Sequence, residues 1–291
     1  MRAASERWRA AGCTIGLVPT MGALHAGHES LIRAASREND VVVVSIFVNP
    51  LQFGPNEDFD RYPRRLDDDL RLLSAEGVDA VYIPSVAAMY PPNARTRVRV
   101  DEIGSVLEGY HRPGHFEGVA TVVTKLLNAA RPHRAYFGQK DAQQAAVIQR
   151  LVSDLDLGVE VRICPTVREP DGLALSSRNA YLEGDQRRAA TCLFRALEAA
   201  NGAYLEGERD PAKLRKRLLA VLEREPLARP DYAEVVDPST FSSPGRLAVL
   251  AVRIGATRLI DNHLLGEPLS ARTPPEGGEA QDNGEGRSGG A

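Results

Sequence analysis

The run Val41-Val42-Val43-Val44-Ser45-Ile46-Phe47-Val48 limits the fold more than any other stretch of this chain. Its side chains are apolar on both faces at once, so it does not suit a sheet with one side in water. It requires a central parallel position covered by helices above and below. The rest of the amino-terminal half is written in the same terms. Ile15-Gly16-Leu17-Val18, Val78 to Pro84, Arg134-Ala135-Tyr136-Phe137 and Val159 to Cys164 are short apolar runs bounded by turn residues, and read as strands. Between them, apolar residues recur at helical spacing: Leu31, Ile32, Ala34 and Ala35; Leu66, Leu70 and Leu73; Val119, Val122, Val123, Leu126 and Leu127; and the segment from Ala142 to Leu155. Residues 1–13 read as the end of a helix feeding the first strand. Strand and helix thus alternate through residue 164, which predicts an α/β fold: a parallel sheet with helices on both faces, joined by right-handed crossovers. Thr96-Arg97-Val98-Arg99-Val100 alternates cleanly and predicts one more, half-exposed strand.

The pattern changes after Pro165. Helices are expected at about 185–201 and 211–223, followed by three short strands at Tyr232 to Asp237, Leu247 to Val252 and Thr257 to Asp261 with no helices between them. That grouping predicts a smaller α+β unit with an antiparallel sheet. Residues 1–167 are therefore expected to form a larger α/β domain and 168–265 a small second domain. In residues 266–291 apolar side chains nearly vanish and Pro, Gly and Glu dominate, so this tail is expected to be disordered. The order of the strands in the sheet is left open.

Composition removes several function classes. With a formal net charge of -3 and no basic excess, neither a nucleic-acid duplex nor an anionic membrane is an expected partner. The longest apolar run is too short to span a bilayer. The first residues, Met1-Arg2-Ala3-Ala4-Ser5-Glu6-Arg7, carry charges where a signal peptide needs an apolar core. Cys13, Cys164 and Cys192 are odd in number and widely spaced, as free thiols in a reducing cytoplasm would be.

Between the first strand and the first helix stands Pro19-Thr20-Met21-Gly22-Ala23-Leu24-His25-Ala26-Gly27-His28. A strand–turn–helix aims free backbone N–H groups and the positive end of a helix dipole at one point, which suits a phosphate. His25 and His28 can reach the same space, where imidazolium would stabilise the negative charge of a phosphate. Taken alone, the pair could equally be surface histidines. A metal site has no third ligand nearby at the right spacing.

The same strand–glycine–helix pattern recurs at Gly138-Gln139-Lys140-Asp141, where a lysine can neutralise phosphate and an aspartate can accept from ribose hydroxyls. Ser176, Ser177 and Arg178 add hydroxyls and a planar cationic fork. Gln52 lies in a loop at the carboxyl end of a strand, where open α/β sheets place their ligands. Asp67, Asp68 and Asp69 open a helix; they read as a solvated face or, through water, as a Mg²⁺ site.

Taken together these motifs closely resemble the pantoate–β-alanine ligase family, within the Rossmann-like HxGH nucleotidyltransferase superfamily. The match spans roughly 12–265 and includes Phe47-Val48-Asn49-Pro50-Leu51-Gln52-Phe53-Gly54, Arg61-Tyr62-Pro63-Arg64, Gly114-His115-Phe116-Glu117-Gly118-Val119, Leu175-Ser176-Ser177-Arg178-Asn179 and Thr257-Arg258-Leu259-Ile260-Asp261-Asn262. The resemblance implies a two-step reaction: ATP and pantoate give pantoyl adenylate and pyrophosphate, and β-alanine then displaces AMP to give pantothenate.

The resemblance also implies roles. Met21, Gly22, Ala23, Leu24, His25, Ala26, Gly27 and His28 would bind ATP, with His28 as proton donor. Gln52 and Gln144 would hold pantoate, and Gln52 also β-alanine. Gly138, Gln139, Lys140 and Asp141 would hold ribose and phosphates, Val167 the adenine, and Leu175, Ser176, Ser177 and Arg178 the triphosphate. Asp68 and Asp69 would lie nearest a Mg²⁺, and Tyr62, Arg112 and His115 would line the site. A homodimer in the cytoplasm is the family expectation. Departures are Gln139 for the usual Glu, Ala142 for a larger residue, Leu175 for Met, a short amino end and the added tail. The competing readings are a nucleotidyltransferase that leaves the nucleotide on its product, and a nucleotide-binding module without catalysis.

Overall fold

The structure is a computed structural model; it describes residues 1–55 and 57–269, so most of the expected disordered tail lies outside the described residues. Its first element is the helix α1 (Arg2–Ala10). The five expected strands follow as β1 (Ile15–Thr20), β2 (Val41–Ile46), β3 (Ala80–Tyr82), β4 (Arg134–Gly138) and β5 (Glu160–Cys164). They pair in parallel in the order β3-β2-β1-β4-β5. From β1 the chain steps outward to β2 and β3, then returns to add β4 on the other side. The connections therefore leave β1 and β4 in opposite directions, and a crevice opens at their carboxyl ends.

The helices on this sheet are α2 (Ala26–Glu38), α3 (Leu66–Ala75), α4 (Val86–Met89), α5 (Glu108–His111), α6 (His115–Ala130) and α7 (Ala142–Asp154). Strand β2 is buried along its whole length, as its composition requires. Val42 and Val44 pack with Leu31 and Ile32 of α2 and Leu73 of α3, while Val41 and Val43 pack with Val119, Val123 and Leu127 of α6. Neighbouring residues thus serve opposite faces, each contributing roughly 1.5–3 kcal/mol by burial.

The second unit contains α8 (Gly184–Ala189), α9 (Cys192–Leu205), α10 (Pro211–Leu222) and the antiparallel sheet β6 (Ala228–Val236), β7 (Leu247–Ile254) and β8 (Thr257–Leu264). Leu193 and Leu197 of α9 meet Leu214 and Leu218 of α10 over Leu250 and Val252 of β7. A further cluster, in which Phe116, Ala146 and Val147 meet Val236, Phe241 and Val249, joins the two units.

Three details depart from the sequence reading. The helix expected at about 185–201 is two, α8 and α9, separated near Ala190 and Thr191. The segment Thr96-Arg97-Val98-Arg99-Val100 is no strand: Val98 and Val100 turn inward as the alternation implies, but the Val98 N–H donates to the Thr121 hydroxyl at 3.0 Å and no ladder forms. Within the expected tail, Gly266 and Glu267 are tied down, the Gly266 N–H donating to Asn201 Oδ1 at 2.8 Å and Asn201 Nδ2 to the Glu267 carbonyl at 3.1 Å.

Candidate active site

The loops at the carboxyl ends of the parallel strands converge on one cleft. The β1 loop contributes Met21, His25, Gly27 and His28, and the β2 loop contributes Gln52. After β4 come Gly138, Lys140, Asp141 and Gln144, and after β5 comes Val167. Leu175, Ser176, Ser177 and Arg178 close the opposite wall. This inner chamber of about 230 Å³ opens into a cavity of about 860 Å³ between the two units. Lys140, Asp141, Gln144, Ser176 and Arg178 line both. The imidazoles, the ammonium at 140 and the guanidinium at 178 therefore face a common space.

The histidines are fixed by the backbone they cap. His25 is the N-cap of α2: its Nδ1 accepts from the Gly27 N–H at 3.2 Å, and its own N–H donates to His28 Nδ1 at 3.3 Å. The rings lie 4.2 Å apart between centroids. With each Nδ1 engaged as an acceptor, the ring proton sits on Nε2. Burial, reinforced by Lys140, lowers His25 to a pKa of about 4. Burial, then the neighbouring His25 and Lys140, lowers His28 to about 3. Both rings are neutral at pH 7, so the imidazolium expected from the sequence gives way to neutral Nε2–H donors.

The expected free backbone N–H groups are also spoken for. The Gly22 N–H donates to Thr20 Oγ1 at 3.2 Å, and the Ala23 and Leu24 N–H groups donate to the two carboxylate oxygens of Asp69 at 2.9 and 2.8 Å. Gly22, Ala23, Leu24 and Ala26 do not line the cleft. They shape the turn that aims the histidines.

The two arginines that line the inner chamber are each matched by a carboxylate from the loop after β2. Arg178 forks onto Asp58 at 3.0 and 2.9 Å, and Arg112 forks onto Glu57 at 2.7 and 2.6 Å. Burial raises both carboxyls, but the bonds and charge of the arginines outweigh it and hold them below the usual range. Lys140 Nζ is 3.7 Å from Asp141. Ser176 Oγ accepts from the Arg178 N–H at 3.3 Å, and Ser177 Oγ lies 3.3 Å from the Tyr62 hydroxyl.

Gln52 is oriented by its neighbours. Asn49 Nδ2 donates to Gln52 Oε1 and to the Gly118 carbonyl, both at 3.0 Å, and the Tyr90 hydroxyl donates to Asn49 Oδ1 at 2.8 Å. His115 Nδ1 donates to the Gln52 carbonyl at 2.9 Å, leaving Nε2 to accept from Arg112 at 3.1 Å. Burial, then Arg112, lowers His115 to about 4, consistent with that neutral tautomer.

Three sequence expectations need correction. Asp68 is exposed and pairs with Arg71, and Asp69 is buried beneath the histidine turn; neither lines the cleft. They are not placed to hold a metal in the cleft, and the described residues contain no cluster of three His, Cys, Asp or Glu able to hold one. Gln139 points away from the chamber: its Nε2 donates to Asn262 Oδ1 at 2.9 Å, across the junction of the units. Sequence reasoning gave no role to Asn49, Glu57, Asp58 or Thr166. The Thr166 hydroxyl, two residues past the end of β5, is buried with no hydrogen-bond partner among the described residues. Asn49 lay within a quoted motif; the acidic pair carried no local signal, because its partners are distant in sequence.

Comparison with known proteins agrees with this geometry. The model of the family described as pantoate-beta-alanine ligase matches residues 1–264. A pantothenate synthetase of Roseiflexus castenholzii is 59% identical over 256 residues, covering 86% of this chain and 92% of that protein. One from Acidobacterium capsulatum is 56% identical over 264 residues, covering 89% and 88%. Among solved structures, the pantothenate synthetase of Thermus thermophilus superposes with a TM-score of 0.85 at 46% identity, covering 90% of this chain and 97% of that one. The pantoate-beta-alanine ligase of Francisella tularensis, complexed with beta-gamma ATP and beta-alanine, superposes at 0.74 and 37% identity, covering 91% and 97%.

Proposed function

The chain belongs to the pantoate–β-alanine ligase family, and from that premise we propose that its cleft joins pantoate to β-alanine at the expense of ATP, giving pantothenate, AMP and pyrophosphate. The single observation that carries the reading is the convergence of His25, His28, Lys140 and Arg178 on one chamber where the strand order reverses. A carboxylate oxygen is a poor leaving group until it is joined to phosphate, so the reaction needs a site that first stabilises charge on a phosphoryl group. In the first step a pantoate carboxylate oxygen attacks the α-phosphorus of ATP and pyrophosphate departs. In the second the β-alanine amine attacks the acyl carbon, the acyl–oxygen bond breaks so that AMP departs, and the amine gives up its proton to solvent.

In this reading His25 and His28 donate hydrogen bonds through Nε2–H to phosphate oxygens whose charge grows in the transition state, and the proton-donor role implied for His28 becomes that of a neutral donor that keeps its proton. Lys140 and Arg178 neutralise the departing pyrophosphate. A triphosphate competes with Asp58 for the Arg178 fork. Gly138 and Asp141 hold the ribose, Val167 the adenine, and Ser176 and Ser177 phosphate oxygens. Gln52 and Gln144 hold pantoate, and Gln52 also receives β-alanine. Mg²⁺ supplied with ATP would offset phosphate charge; Asp68, paired with Arg71, and Asp69, with both oxygens taken by backbone N–H groups, are not placed to hold it. A cytoplasmic homodimer completes the reading, supported by the family resemblance and by the free thiols of Cys13, Cys164 and Cys192.

The test is incubation with ATP, Mg²⁺, pantoate and β-alanine, omitting each in turn. Pyrophosphate release that requires pantoate, and AMP release that additionally requires β-alanine, is the expected pattern. Label from the α-phosphate remaining on the final product would favour a nucleotidyltransferase instead.

A further inference from the structure

We infer that Asp69 is the positioning residue of the histidine-bearing turn, an internal anion that fixes where His25 and His28 point. The inference deepens the ligase reading and rests on it for its kinetic consequences. Asp69 lies in the first turns of α3 and is 3% exposed, and no ion pair to it exists among the described residues. Both of its oxygens are used, Oδ2 by the Ala23 N–H at 2.9 Å and Oδ1 by the Leu24 N–H at 2.8 Å. Gly22 and Ala23 have φ of +81° and +51°. With positive φ at both residues, the turn presents the successive N–H groups of Ala23 and Leu24 to one carboxylate, a concavity of the kind that takes an anion. In many phosphate-binding turns the ligand fills that concavity; here the chain's own carboxylate does.

A Cβ on Gly22 would stand 2.9 Å from Asp69 Oδ2 and 3.2 Å from the Ile46 side chain, so turn and carboxylate are fitted to each other. The residue after Leu24 is His25, whose N–H and Nδ1 make the reciprocal cap with His28. Rotating the 23–24 backbone therefore moves both rings. Asp69 never faces the cleft, so it acts through the turn and touches no substrate.

Asp69→Asn tests this, because an amide can accept from only one of the two N–H groups and turns its own NH₂ at the other. In the folded variant without substrates, the His25 and His28 ring resonances should shift from their wild-type positions. With substrates, kcat should fall roughly tenfold to a hundredfold, as misplacement of a catalytic group by about an ångström does. KM for pantoate and β-alanine, and the Mg²⁺ concentration for half-activation, should stay within about twofold of wild type, whereas loss of a metal ligand moves the latter by more than tenfold. Unmoved ring resonances, wild-type kcat or a displaced Mg²⁺ requirement would each overturn the inference. If Asp69→Asn fails to fold, Gly22→Ala disturbs the same fit from the other side and is held to the same outcomes. Wild-type enzyme that makes no AMP from pantoate and β-alanine defeats the ligase reading instead, and the ring resonances still decide the role of Asp69.

Discussion

An imidazole whose Nδ1 already accepts a backbone N–H has only its Nε2–H to offer a phosphate. That holds for His25 and His28. Ring titration followed by NMR should give midpoints for both below pH 5, against about 6.5 for an unperturbed histidine. A midpoint above 6 for either would show that the free rings are charged. Removing one donor, His28→Ala, should lower turnover by about two to three orders of magnitude with ATP still bound; steady-state assays paired with calorimetric ATP titration check both halves. Stability carries the same signature. His25, His28 and His115 have folded pKa values of about 4, 3 and 4, below the value of about 6.5 in the unfolded chain, so the unfolded state binds more protons between those limits. Their contribution is complete above about pH 6.5 and is lost as pH falls toward 4, at about 1.4 kcal/mol per pH unit for each ring. Urea unfolding at pH 7, 5.5 and 4.5 should show that loss before most carboxylates titrate.

At the scale of elements, α6 decides where the Gln52 turn sits. A Cβ on Gly118 would lie 2.3 Å from the Leu51 carbonyl oxygen and 2.7 Å from the Gln52 nitrogen, so helix and turn can touch only because residue 118 has no side chain. Gly118→Ala should separate them, costing about 1–3 kcal/mol as overpacking and raising KM for pantoate more than for ATP. An unchanged melting temperature would mean the contact is looser than drawn. The elements themselves were largely readable, because helical and strand periodicities are local. Thr96–Val100 marks the limit: alternation reports which side chains face inward, while a strand also needs a neighbour to receive its N–H groups.

Across the whole molecule, polar contacts between the units set the cleft's far wall. Asn262 Nδ2 donates to the Gln139 and Lys140 carbonyls, each at 2.9 Å, tying β8 to the turn that carries the cleft lysine. Beside it, Arg168 forks onto Asp261 at 2.6 and 2.9 Å, with both side chains almost fully buried. Arg168→Met leaves that carboxylate buried and uncompensated, a loss of about 3–5 kcal/mol. Thermal unfolding should record it as a large fall in melting temperature, larger than that of the double variant with Asp261→Leu. Equal falls would mean the pair is not a unit.

By itself the sequence determined the α/β class, the five parallel strands and the smaller antiparallel unit, and it put the loops of His25, Gln52 and Lys140 at strand ends, because apolar periodicity and turn residues are written in neighbouring positions. Only the tertiary structure decided the strand order that opens the crevice between β1 and β4 and the neutral state of the histidines. It also fixed the pairing of Glu57 with Arg112 and Asp58 with Arg178, and the burial of Asp69 under the turn instead of in the cleft. Those are matters of distance and desolvation between residues far apart in the chain, and a string of letters fixes neither until the chain has folded.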